Sequence, residues 1–171
     1  SQVAGSMAAA STLQLFAEHI ESANRVDRWL LSMTLGDKGS FHANRTDGLF
    51  KLPTEAIISA CHTYPKQFAV TVAEVAPIFA KQSTGVREWT ALGSALLDDF
   101  GDRKDVLGAL AVNLATGGWV GPSSAHYRSF LEPLQSVTTH NRPEVRSWAR
   151  KQLKHLHNQI AAELVSEEED N

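Results

Sequence analysis

Cysteine is almost missing from this chain: Cys61 stands alone among 171 residues. No internal disulfide can form, and a reducing cytoplasm is the simpler setting. Long apolar runs are missing too. None approaches the roughly 20 residues that span a bilayer as a helix, so no membrane partner of that kind is expected. The first residues lack the charged start and apolar core of a secretory signal. Neither sign of charge dominates. Sixteen Lys and Arg against nineteen Asp and Glu leave a net of −3, which argues for neither a nucleic-acid nor a membrane surface. The short motifs of catalysis are absent as well. There is no Gly-Lys-Ser/Thr phosphate loop, no His-Glu-x-x-His, no paired Cys-x-x-Cys, no Gly-x-Ser-x-Gly and no dinucleotide fingerprint.

What is present fits one folded domain. Hydrophobic residues make up 43% and charged residues 20%, enough for a sizeable core and too apolar for a disordered chain. Residues 1–11 are set aside as an unfolded start, because Ser1 to Ser6 followed by Met7 reads as a cloning scar. The domain proper covers 12–165, and the acidic residues 166–171 read as a solvated, disordered tail.

The strongest periodic stretch is Arg142 to Leu164. Val145, Ala149, Leu153, Leu156, Ile160 and Leu164 recur at spacings of three and four, with Trp148 beside them: one apolar stripe on a helix. Pro143 suits a first helical turn and Asn141 a cap. Such a helix needs other helices to cover it, and the rest of the chain supplies them. A first helix is predicted from about Thr12 to Leu35, with Leu13, Phe16, Ile20, Val26, Leu30 and Met33 on one face and Gly36 ending it. A long loop follows over 37–51. A second helix starts at Leu52-Pro53 and stops at Tyr64-Pro65. The third runs from about Pro65 to Ala80, the fourth from Val86 to Phe100 and the fifth from Arg103 to Ala115. A sixth, capped by Ser123 or Ser124, buries Tyr127, Phe130, Leu131, Leu134 and Val137. The fold class is therefore all-α, with about seven helices and no convincing strand. Two architectures fit, a closed bundle and a solenoid of antiparallel helix pairs. The pattern Val-Arg-x-Trp, at Val86–Trp89 and again at Val145–Trp148, favours the solenoid, as does the length of the helix pairs.

The stretch Arg142-Pro-Glu-Val-Arg-Ser-Trp-Ala-Arg-Lys-Gln-Leu153 resembles the second helix of a HEAT repeat, with its Pro-x-Val-Arg, then Ala, then Leu. Leu96 to Leu164 is similar to the C-terminal end of large bacterial proteins with HEAT-like repeats, some of them multidomain antiviral defence proteins. The resemblance covers some 70 residues of the sequence and implies a helical recognition or scaffolding module.

Candidate sites are few. Arg142, Arg146, Arg150 and Lys154, four apart, form a basic stripe on the last helix. It can track phosphates, or it is a solvated face paired with acids such as Glu132, Asp98 or Asp99. The glycine-rich turn Thr116–Ser124 precedes a helix N-terminus but lacks a phosphate loop's lysine; Trp119 within it reads as an anchor. Asp98, Asp99, Asp102 and Asp105 have the wrong spacing for calcium, and Asp102 suits the N-cap of the fifth helix. His155 and His157 point to different sides of a helix and cannot share an ion, so no metal site is expected. Cys61 reads as a small core residue. The loop 37–51, carrying Phe41, His42, Arg45 and Phe50, is the best candidate for a partner-contacting element.

These readings converge on a non-enzymatic helical interaction domain without cofactor. Its partner is a protein, or other parts of a longer parent chain. A nucleic-acid module using the basic stripe is the second reading. A small enzyme assembled from His62, His126 and the acids near Asp98 is the third. Ile160 and Leu164, near a free helix end, leave room for self-pairing and so for a dimer.

Overall fold

The computed structural model describes residues 2–28, 30, 48–82, 85–116 and 123–169. Its first helix, α1 (Gln2–Ser22), begins well before Thr12, so the opening residues are helical rather than an unfolded start. Leu13, Ala17 and Ile20 are buried at the spacing of one face. The helix then stops short of the expected Leu35. Asn24 breaks it: its side-chain oxygen accepts from the N–H groups of Val26 at 2.9 Å and Asp27 at 3.0 Å, which caps a new helical turn at 25–28. The change of direction turns Val26 and Leu30, expected to point inward, out to solvent. Residues 31–47 lie outside the described residues, including Met33 and Gly36.

A short 3₁₀ turn (Gly48–Lys51) leads into α2 (Thr54–Thr63), which buries Ile57, Ile58, Ala60 and Cys61. Tyr64-Pro65 ends it as expected. The next helix, α3 (Phe68–Val75), is buried almost all round through Phe68, Ala69, Thr71, Val72, Ala73 and Val75. A helix apolar on every side belongs at the centre of a fold.

The expected third and fourth helices give ground to a hairpin. Pro77 lacks an N–H and drives Ala76 to extended backbone (ψ 151°), so α3 cannot reach Ala80. Strands β1 (Phe79–Lys81) and β2 (Arg87–Trp89) pair antiparallel, with Phe79 opposite Trp89 and Lys81 opposite Arg87. Gly85, at φ 84°, makes the turn between them. The Val-Arg-x-Trp at 86–89 therefore sits on a strand, not at a helix start, and the internal repeat it suggested is lost. Helix α4 (Ala91–Phe100) begins only at Thr90, whose hydroxyl accepts from Gly93 N–H.

Helix α5 (Lys104–Ala115) follows Gly101. Gly101 is right-handed (φ −68°); it is needed for space, because a Cβ there would lie 2.4 Å from a Val145 methyl. The expected sixth helix is two: α6 (Ser123–Arg128) and α7 (Leu131–Ser136), with a 3₁₀ turn at Val137–Thr139. Pro133 explains the break. In a continuous helix its ring would meet the carbonyl of Ser129. That carbonyl instead accepts Arg87 N–H from β2. The last helix, α8 (Pro143–Glu169), starts at Pro143 as expected, with Arg142 rather than Asn141 just before it. It runs on past Leu164, so residues 166–169 continue a helix where a disordered tail was expected.

The class is all-α, with this small hairpin added. Among the described elements α1 packs on α2 and α3, α2 on α4, and α3 on α5; α8 lies across α6, α7 and the 3₁₀ turn and reaches α5. One core joins them. Ile20, Ile57, Phe68, Leu96, Leu97, Leu110, Leu134 and Val145 are its fully buried centre. Burying each such side chain contributes about 1.5–3 kcal/mol. No described helix is long and apolar enough to cross a membrane.

Candidate interaction surface

Most of the charged and polar groups singled out in the sequence are tied into the fold. His62 Nε2 lies 2.8 Å from Asp99, and His140 Nε2 lies 2.9 Å from Asp98. These two pairs join α2 and the α8 entry to the end of α4. Arg142 Nε donates to the Asp98 carbonyl at 2.7 Å, and its guanidinium is 3.8 Å from Asp102. Asp102 thus faces Arg142 and does not cap α5, where Arg103 holds the cap position without a side-chain bond. Arg146 donates to the carbonyls of His140 and Asn141 and closes the turn before α8. Half of the basic stripe therefore holds its own neighbourhood together.

The residues of the enzyme reading do not converge. His62 stacks on Phe100 with ring centroids 4.7 Å apart. His126 belongs to a different cluster, edge-on to Phe130 at 5.1 Å. Burial, with the positive Arg87 and Lys81 adding to it, pushes the His126 pKa down to about 4. Arg87 lies over the Phe130 ring, 4.4 Å from its centroid. Cys61 is fully buried, and desolvation pushes its thiol up to about 12, partly offset by Arg103, so it is no nucleophile in the folded state. Among the described residues no group of three His, Cys, Asp or Glu could hold a metal.

Arg150 and Lys154 differ from the rest of the stripe. Both are exposed, and neither has a hydrogen bond or ion pair among the described residues. They form one wall of an open groove between α8 and the α7–3₁₀ segment. At the Arg150 end it measures about 460 Å³ and is lined by Gln135, Thr138, Leu153, His157 and Asn158. At the α7 end, about 540 Å³, Leu131, Glu132, Ser136 and Thr139 join the lining. Leu153, only 9% exposed, is the apolar floor. Gln135, Thr138 and Thr139 also line it, the two threonine hydroxyls donating to the carbonyls of Gln135 and Ser136. Glu132 is its one acidic residue.

The groove lies between α8 and the α7 and 3₁₀ residues that pack beside it. The sequence marked its basic wall but not Gln135, Thr138 or His157. Of the loop candidates, Phe50 is half-buried against the core. Phe41, His42 and Arg45 lie outside the described residues, as does Trp119 with most of the glycine-rich turn. No family model, curated protein or solved structure matches the chain.

Proposed function

We propose that this is a non-enzymatic helical interaction domain that docks an acidic segment of a protein partner in the groove beside α8. The observation that carries this reading is the pair Arg150 and Lys154. Among the described residues they are cations without a partner above an apolar floor, while Arg142 and Arg146 are committed to the fold. An acidic segment would gain ion pairs at the rim and cover the half-buried Leu131. The HEAT-like reading of the architecture, in which a helical scaffold presents a recognition face, rests on the resemblance of residues 142–153. In that reading the chain acts as a recognition or regulatory module of a larger bacterial protein, defence-associated by its resemblance. A buried, unreactive lone thiol suits the cytoplasm.

The test is fluorescence anisotropy with a labelled glutamate-rich helical peptide. Binding should weaken about tenfold or more in Arg150→Glu/Lys154→Glu, with the circular dichroism unchanged. No binding to the wild type, or equal binding to the variant, overturns the reading. Nucleic-acid binding remains the second reading, because the same cations can meet phosphate. With Arg142 and Arg146 engaged, few contacts are left, so the salt slope should be shallow, near −2 to −3 for Arg150, Lys151 and Lys154.

A further inference from the structure

Glu132 stands apart from the other acids near α8. Asp98 and Asp99 are taken up by His140 and His62, and Asp102 faces Arg142. Glu132 is exposed, and among the described residues it has neither a hydrogen bond nor an ion pair. It lines only the α7 end of the groove, together with Leu131. Arg150 and Lys154 line only the other end. Leu153 belongs to both ends. The groove is therefore polarised, with two available cations at one end, one available carboxylate at the other and an apolar floor shared between them.

That polarity limits what can lie across it. In the free protein water solvates Glu132. A segment that covers the α7 end displaces part of that water, and the carboxylate then meets whatever charge the segment brings. A uniformly acidic segment gains at Arg150 and Lys154 but sets like charge against Glu132. Nucleic acid does the same with its phosphate backbone. A segment with acids at one end and a lysine or arginine at the other satisfies all three groups.

We infer that the groove selects a mixed-charge segment of a protein partner. It is acidic where it meets Arg150 and Lys154, apolar over Leu131, and carries a lysine or arginine at Glu132. Glu132 is then a specificity-determining residue: it turns away the polyanions that the cations alone would attract. The inference rests on the groove reading and deepens it, by adding a cation to the partner's acids.

Fluorescence anisotropy on the full chain tests it, with labelled helical peptides of equal length. One carries glutamate at every charged position. The others exchange one glutamate for lysine, placed one, two or three turns from the rest. The tightest mixed peptide should bind the wild type about fivefold more tightly than the all-glutamate peptide, because a rim ion pair replaces a like-charge contact. In Glu132→Lys the order should reverse. In Glu132→Gln the two should come within about twofold of each other. Circular dichroism should be unchanged in both variants, since Glu132 is exposed. Equal binding of mixed and all-glutamate peptides to the wild type overturns the inference and leaves the groove reading standing. So does a preference that survives Glu132→Lys. Binding of no peptide, or a DNA duplex held more tightly than every mixed peptide, overturns both.

Discussion

Two side chains from distant helices hold the ends of α3. Glu21, at the end of α1, accepts from the N–H groups of Lys66 at 3.0 Å, Gln67 at 2.7 Å and Phe68 at 3.1 Å. Partial burial pushes its pKa up, but these three donors outweigh that and hold the carboxyl below its ordinary value. At the other end the buried Asn113 amide donates to the carbonyls of Ala73 at 2.9 Å and Ala76 at 2.8 Å. Both bonds meet backbone groups that a helix terminus leaves unpaired. Glu21→Gln should cost about 1 kcal/mol and Asn113→Leu about 2–3 kcal/mol, by chemical denaturation. The Glu21 contribution is present above the unfolded glutamate pKa near 4.3 and is lost as pH falls through the lower folded value. His126 acts in the same direction for the opposite reason. Its folded pKa lies below the unfolded value near 6.5, so the unfolded state takes up the proton first. Stability should therefore fall as pH drops from about 6.5 to about 4. In His126→Phe that part of the pH slope should vanish from melting curves recorded across this window.

At the scale of elements, the sequence was most legible where one physical rule acted alone. The α8 stripe, the start at Pro143 and the stop of α2 before Pro65 follow from periodicity and proline sterics. The misreadings lie where local apolar spacing competed with a single side chain. Val86 and Trp89 fit a helical face, but Thr90 caps the helix after them, and Phe79 pairs across to Trp89 with ring centroids 4.3 Å apart. Trp89 Nε1 then donates to the Pro133 carbonyl at 2.7 Å, tying the hairpin to α7. Nothing within residues 86–89 announces that bond, since its acceptor is 44 positions away. Gly93 stands on α4 in close quarters. It lets the chain at Ile78 pass, with the Ile78 carbonyl 2.5 Å from where a Cβ would be.

For the whole molecule, class and core were legible and the groove beside α8 only in part. The core needs apolar residues at the right period, and the sequence states those outright. The groove lies between α8 and segments earlier in the chain, and no periodicity reports a gap. The basic stripe looked uniform because spacing cannot tell an arginine that closes a turn from one that faces water. Cys61 has a consequence of another kind. The only thiol in the chain is sealed in α2 at 0% exposure, with almost no thiolate available near neutral pH. A thiol reagent can therefore react only when α2 opens. Its labelling rate is a built-in clock for opening, and it should slow steeply as stability rises and match the unfolding equilibrium once closing outpaces labelling. The protein thus needs no added probe: ordinary disulfide-exchange reagent, followed by absorbance, should read how long its centre stays shut.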